Sequence, residues 1–309
     1  MEHPTSDTPT TLTGPLRQPR QMLAEQSYGG HTSVHDEETA ASLGLAGAPI
    51  EGPTHFSQFD PLLAILRGDR WFAHGCLSAH FQTMVVEGEE VRATVTVSGP
   101  GATGVRIDSA KADGTPVLTG TASVGPDHPE TALAPRLARA LSAPPDRLHV
   151  LDQLSVGQTG PGDETITVGF DDDLGEMYPF SLADKLDRIT EPLDWYLPGA
   201  DTPWGAPILP IEMLSVLTNA GSKHAGFVAR QPSIGLFIDM EVRLLGDPVL
   251  VGRTYRIDRE IVALGESRRT ESYWTRTTLT DDQTDRATAE VLLHQGVFKD
   301  SWPGYPDAG

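Results

Sequence analysis

The chain has 309 residues, a length that suits one large domain or two ordinary ones. Its 43 acidic residues against 23 Lys and Arg give a net charge of −20, which argues against a nucleic-acid partner and against an anionic membrane surface. Apolar residues make up 38% and charged residues 21%, enough apolar side chain to build a sizeable core.

A single cysteine, Cys76, excludes an internal disulfide and any paired-cysteine metal or redox motif. The opening residues lack the basic and apolar stretches of an export signal. The longest purely aliphatic run, 62–66, is far short of the ~20 residues of a membrane span. These features predict a soluble, cytoplasmic protein.

Residues 1–21 are rich in Thr, Pro and polar residues, show no periodicity, and are expected to form a flexible N-terminal arm. Two organised halves are expected at 22–128 and 149–309, joined by a Pro-rich linker at 129–148 that holds a short Ala/Leu/Arg helical turn. The halves carry a faint repeat. Gly47-Ala48-Pro49-Ile50 and Gly205-Ala206-Pro207-Ile208 each precede a proline (Pro53, Pro210) and an apolar-periodic segment. Phe56, Phe59, Leu63 and Leu66 mark one helix face in the first half, and Met213, Val216, Leu217, Ala220 and Phe227 mark one in the second. Pro61 is expected to kink or divide the first helix.

Alternating segments follow each helix, at 77–86, 91–97, 105–110 and 117–124, and again at 234–244, 255–262, 272–279 and 287–294. A further strand precedes the second helix at 165–170. Turn residues separate the strands at Glu87-Gly88, Asp113-Gly114, Gly246-Asp247-Pro248 and Leu264-Gly265. Connections this short make the pairing antiparallel. Each half reads as a helix followed by an antiparallel sheet that wraps it, an α+β fold.

The stretch from His35 to Gly47, then Pro49-Ile50-Glu51-Gly52 and the later turn Glu87-Gly88-Glu89, resembles the MaoC-like hydratases and dehydratases of the hotdog superfamily in their double-hotdog form. The likeness is carried by motifs over about 22–125 and by element order over 150–300. It implies a tunnel between two hotdog units that holds an acyl-thioester. It also implies an Asp-x4-His dyad that activates water before the first central helix. Here the position five before His35 is Gly30, the position five before His31 is Gln26, and the family's His before the helix glycine is Glu51.

The residues themselves offer chemistry at the same place. His31 and His35 lie in a glycine-containing loop, and imidazoles exchange protons near neutral pH. The bland alternative is a surface His beside an acidic helix start at Asp36. Glu51 and His55 are four apart at the helix start, so one face could carry both, and burial would raise the proton affinity of Glu51. Their alternative role is a dipole-complementing carboxylate and a satisfied core His. Asp36, Trp204 and Glu212 are candidate substrate contacts, with Trp195, Tyr196 and Trp204 equally suited to core packing. His74 and His80 are expected in strand or turn. No HExxH, paired-Cys, phosphate-loop or GxSxG pattern is present, so neither metal nor cofactor is expected.

The expected activity is a hydro-lyase acting at a C=C bond conjugated to a carbonyl, with a small-molecule substrate carried on coenzyme A or acyl carrier protein. A hotdog thioesterase using Glu51, or a non-catalytic double hotdog that binds a ligand or partner, are the alternatives. Two fused hotdogs imitate the family's usual dimer within one chain, and a homodimer of such chains is compatible with that.

Overall fold

The computed structural model describes residues 9–28, 31–99, 102–219 and 225–306; the side chains of Tyr28, His31 and Thr32 lie outside what is described. The first strand, β1 (Thr10–Thr13), pairs antiparallel with the strand at Val91–Val97. Arg17 adds a bridge to Val91, and its guanidinium reaches Glu191 at 2.6 Å. This part of the expected free arm is therefore a docked edge strand. Leu12 packs on the core between outward-facing threonines, an alternation that suits a pleat. The chain continues through a two-stranded ribbon, β2 (Ser27–Tyr28) and β3 (His31–Thr32), to α1 (Glu37–Ser42).

The first central helix comes in two pieces, a 3-10 segment (Gly52–Phe59) and α2 (Asp60–Arg67). Pro61 sits in the first turn of α2, where its missing N–H costs nothing, so it divides the helix rather than kinking it. Then follow α3 (Arg70–His74), β4 (Gly75–Phe81), β5 (Val91–Val97), β6 (Gly104–Lys111) and β7 (Pro116–Val124). The connecting segment holds α4 (Ala134–Ser142), which lies with Leu133 against Val262, Trp274 and Leu292. The expected linker is thus a helix packed on the second half of the sheet. The second half comprises β8 (Thr165–Thr167), α5 (Leu182–Leu186), α6 (Met213–Asn219), β9 (Gly235–Leu244), β10 (Thr254–Glu266), β11 (Thr270–Asp281) and β12 (Arg286–Phe298). All seven residues of α6 are buried, as befits a helix enclosed by sheet.

Several expectations change in detail. The strand expected at 77–86 ends at Phe81, and the residues after it turn away to line a cavity. Leu264-Gly265 lies inside β10 rather than in a turn. Gly265 pairs with Ser272, whose Oγ would stand 2.9 Å from an added Cβ, and the hairpin turns beyond it with Ser267 N–H bonded to the Thr270 carbonyl. His74 ends a helix, whereas His80 is in β4. Phe227 belongs to the loop after α6, and Ala220 lies outside the described residues.

Among the described residues, all strands but β2 and β3 form one ten-stranded antiparallel sheet in the order β1-β5-β6-β7-β4-β9-β12-β11-β10-β8. The two halves meet where β4 pairs with β9, from Cys76 opposite Arg243 to His80 opposite Asp239. Asp239 is fully buried there. It accepts from His80 Nδ1 at 2.7 Å and His294 Nδ1 at 2.6 Å, and Arg136 of α4 completes an ion pair at 2.8 Å. Those charge-assisted contacts hold the Asp239 carboxyl well below the usual range despite its burial. Among the described residues, no helix is long and apolar enough to cross a membrane.

One core runs through both halves, with Phe56, Phe59 and Leu63 of the first central helix beside Met213, Leu214 and Leu217 of the second. Gly120 of β7 allows a close approach: a Cβ there would fall 2.0 Å from the Ser78 carbonyl of β4. Asp60 anchors the halves from within, accepting from Trp71 Nε1 and from the Tyr196 hydroxyl of the second half, each at 2.8 Å. Burial nevertheless raises its pKa to about 7. Removing one donor leaves a buried carboxyl oxygen unpaired, so Tyr196→Phe should cost about 1–3 kcal/mol, read as a lowered urea midpoint with unchanged slope.

Candidate active site

A cavity of about 470 Å³ lies between the halves. Its lining touches six neighbouring strands, from Val117 on β7 to Arg259 on β10, a run of about 24 Å at the usual strand spacing. Most of the wall is apolar, including Val34, Ile50, Phe81, Met84, Phe227 and Leu236. Polar groups stand where the first central helix begins and also along the second half, where Asn219, Arg259, Thr275 and Gln295 reach the wall.

His35, Glu51 and His55 all border this cavity. The Ser33-to-Asp36 turn before α1 delivers His35, whose Nδ1 lies 2.5 Å from the Pro49 carbonyl. With the proton on Nδ1, that bond leaves Nε2 as the lone-pair nitrogen. Burial outweighs the help of this bond and lowers the His35 pKa to about 4, so the imidazole is neutral at pH 7.

Glu51 is the residue just before the 3-10 segment, followed by Gly52 and Pro53. Pro53 has no N–H, and the Gly52 N–H precedes the first intrahelical bond, so it has no acceptor within the helix. Gly52 also passes close to Phe81; an added Cβ would stand 2.9 Å from that ring. Burial raises the Glu51 pKa to about 7. The positive charge of Lys185 opposes the rise, the negative charge of Glu212 adds to it, and a hydrogen bond from Tyr178 opposes it again. His55 is buried one turn on, with Nδ1 lacking a partner among the described residues. Burial, then the charges of Lys185 and Lys111, lower its pKa to about 4. The hydrogen bond to Glu51 comes from Tyr178, across the halves, and not from His55.

The other candidates stand elsewhere. Asp36 caps α1, accepting from the Thr39 N–H and hydroxyl at 2.8 Å each, which holds its carboxyl below the usual range. Trp204 packs edge-on against Trp195 at 5.4 Å, and Trp195 in turn against Phe72, so this aromatic group is core. Glu212 is buried in an ion pair with Lys185 at 2.8 Å and accepts a short hydrogen bond from Ser57. None of the three borders the cavity. The backbone of His31 lies in β3, with its side chain outside the described residues.

Three contributors were not expected. Gln26 borders the cavity and donates to the Met177 carbonyl at 2.6 Å, tying the N-terminal loop to the loop that presents Tyr178. Tyr178 follows the Gly175 turn, a loop aromatic with no periodic signal. Lys185 did carry one: it is one of only four lysines in the chain, three residues after Leu182 on a short helix and so on its inward face.

No protein-family model matches the sequence, and no curated protein matches it. Among solved structures, the chain is similar to a putative MaoC domain protein dehydratase from Chloroflexus aurantiacus at 14% identity, covering 94% of each chain with a TM-score of 0.55. It is also similar to a conserved hypothetical protein from Mycobacterium tuberculosis described as having a double hotdog fold, at 14% identity, 92% and 96% coverage and a TM-score of 0.56. A MaoC-like dehydratase matches at 14% identity over 96% and 98% of the two chains, with a TM-score of 0.51. The chain therefore has the double-hotdog α+β fold, the fold of MaoC-like dehydratase structures.

Holding Glu51 in this cavity costs stability in a pH-dependent way. Its proton is retained in the folded chain up to about 7 but lost from the unfolded chain at the ordinary 4.5, so stability falls as pH rises between these values. Glu51→Gln removes the cost. The variant should match the parent below pH 4.5 and exceed it by about 3 kcal/mol above pH 7, measured as a widening gap in thermal midpoint across that window.

Proposed function

We propose that the protein is a hydro-lyase of the MaoC-like kind, adding or removing water at a C=C bond conjugated to a carbonyl. The observation that carries this reading is a neutral imidazole and a protonatable carboxyl bordering the same cavity, with pKa values of about 4 and about 7. In dehydration, His35 Nε2 takes the proton from the carbon next to the carbonyl. The C–O bond at the next carbon breaks, and Glu51 supplies the proton with which the hydroxyl leaves as water. The Gly52 N–H holds the carbonyl oxygen as negative charge develops on it. Hydration runs the same transfers backwards. The aspartate of the family's dyad is Gly30 here, and Glu51 carries its own proton in place of that pair.

The cavity, extended across six strands and mostly apolar, supports a substrate with an acyl chain, presented as a thioester on coenzyme A or acyl carrier protein. The two halves at 22–128 and 149–309 then act as the two hotdog units of one site.

Turnover of a panel of enoyl- and hydroxyacyl-thioesters, followed by the absorbance of the conjugated enoyl group, tests the reading. Glu51→Gln and His35→Ala should each lower kcat/KM by about 10²–10⁴-fold. The parent profile should fall below pH 4 as His35 gains a proton and fall above pH 7 as Glu51 loses one. A thioesterase using ionised Glu51 to activate water would instead rise through pH 7 and release free thiol. Full turnover in both variants would remove the proposed site.

A further inference from the structure

The wall behind Glu51 holds a charged pair that the proposed chemistry does not itself use. Lys185 of α5 and Glu212, just before α6, meet at 2.8 Å with both side chains almost fully buried. Both grip the 3-10 segment that begins beside Glu51. Lys185 Nζ donates to Thr54 Oγ1 at 3.2 Å, and the Ser57 hydroxyl makes its short hydrogen bond to Glu212 Oε2. Lys185 Nζ also stands 5.7 Å from the centre of the Phe180 ring. Thr54 N–H in turn bonds to the carbonyl of Glu51. The pair is thus fastened, through second-half elements, to the turn that presents the carboxyl.

A buried ion pair contributes little stability beyond what well-packed apolar side chains would supply. Its charges, however, act on neighbouring groups shielded from water with less screening than they would meet in solvent. Lys185 favours the ionised form of Glu51 and Glu212 disfavours it, so the two partners pull in opposite directions on one proton. The other groups around that carboxyl are Tyr178 from the second half, His55 on the same helix and His35 from the preceding loop, with Lys111 acting on His55.

We propose that the Lys185–Glu212 pair is a positioning and charge-balancing device for Glu51, holding in place the 3-10 turn that presents its carboxyl and setting one positive and one negative charge behind it. This rests on the reading of Glu51 as proton donor. A pair kept only for packing would affect stability without its two partners moving the Glu51 titration midpoint in opposite directions.

The test follows Glu51 in the full-length protein by the infrared carboxyl band that disappears in Glu51→Gln, titrated beside the pH profile of kcat/KM. Glu212→Gln leaves Lys185 unopposed and should move the Glu51 midpoint down by about one pH unit; Lys185→Met should move it up by a similar amount. The double variant should return the midpoint close to the parent value, and Lys185→Arg, which keeps the charge, should leave it there. If one single variant fails to fold, the direction of the shift in the other, read against the double variant and Lys185→Arg, still decides the matter. Shifts in the same direction, no shift, or a displaced midpoint in the double variant would overturn the proposal. The infrared titration does not depend on turnover. Full activity in Glu51→Gln would therefore defeat the reading of the reaction while leaving the behaviour of the pair to be judged on its own.

Discussion

The antiparallel pairing of β4 with β9 is the constraint on which the molecule rests. It converts two five-stranded sheets into one continuous surface and fixes their register across the joint. The two central helices are then enclosed on the same side, close enough that Ser57 of one bonds Glu212 at the start of the other. The cavity is the space left where these elements do not close completely. Its walls necessarily come from both halves, and neither half supplies the whole of it.

That origin explains the chemistry of the wall. Glu51 comes from the first half, whereas the Tyr178 hydroxyl that bonds it and the Lys185 and Glu212 charges that act on it come from the second. Desolvation keeps the imidazole of His35 neutral down to about pH 4 and keeps a proton on Glu51 up to about pH 7, so both hold their uncharged forms over a wider range than in open water. Asp60, bonded by Trp71 and Tyr196, shows that burial alone also raises a carboxyl outside the cavity. What distinguishes Glu51 is access to the cavity, which the neutral imidazole of His35 also borders.

Much of the architecture was legible because it depends on local pattern. Val91, Ala93 and Val95 alternate with polar residues and form a strand with that inner face. The two apolar-periodic segments became the two central helices, and His35, Glu51 and His55, adjacent in sequence to the first of them, border one cavity. What pattern reading missed depends on long-range partners. Thr10 to Thr13 reads as loose because its pairing strand lies some eighty residues away. Glu212 reads as a substrate contact until Lys185 and Ser57 are placed beside it, and Trp204 until Trp195 is. Gly265 reads as a turn, though in an antiparallel pair it only makes room for Ser272.

The ladder at the joint is chemically one-sided. His80 is contributed by β4, Asp239 by β9, His294 by β12 and Arg136 by the helix between the halves. Two copies of the first half, brought together along β4, would have no carboxylate to receive their imidazoles. Two copies of the second half would bury a pair of carboxylates without the imidazole and guanidinium supplied from outside it. The two halves are therefore unlike partners at this joint, each supplying groups that the other lacks there.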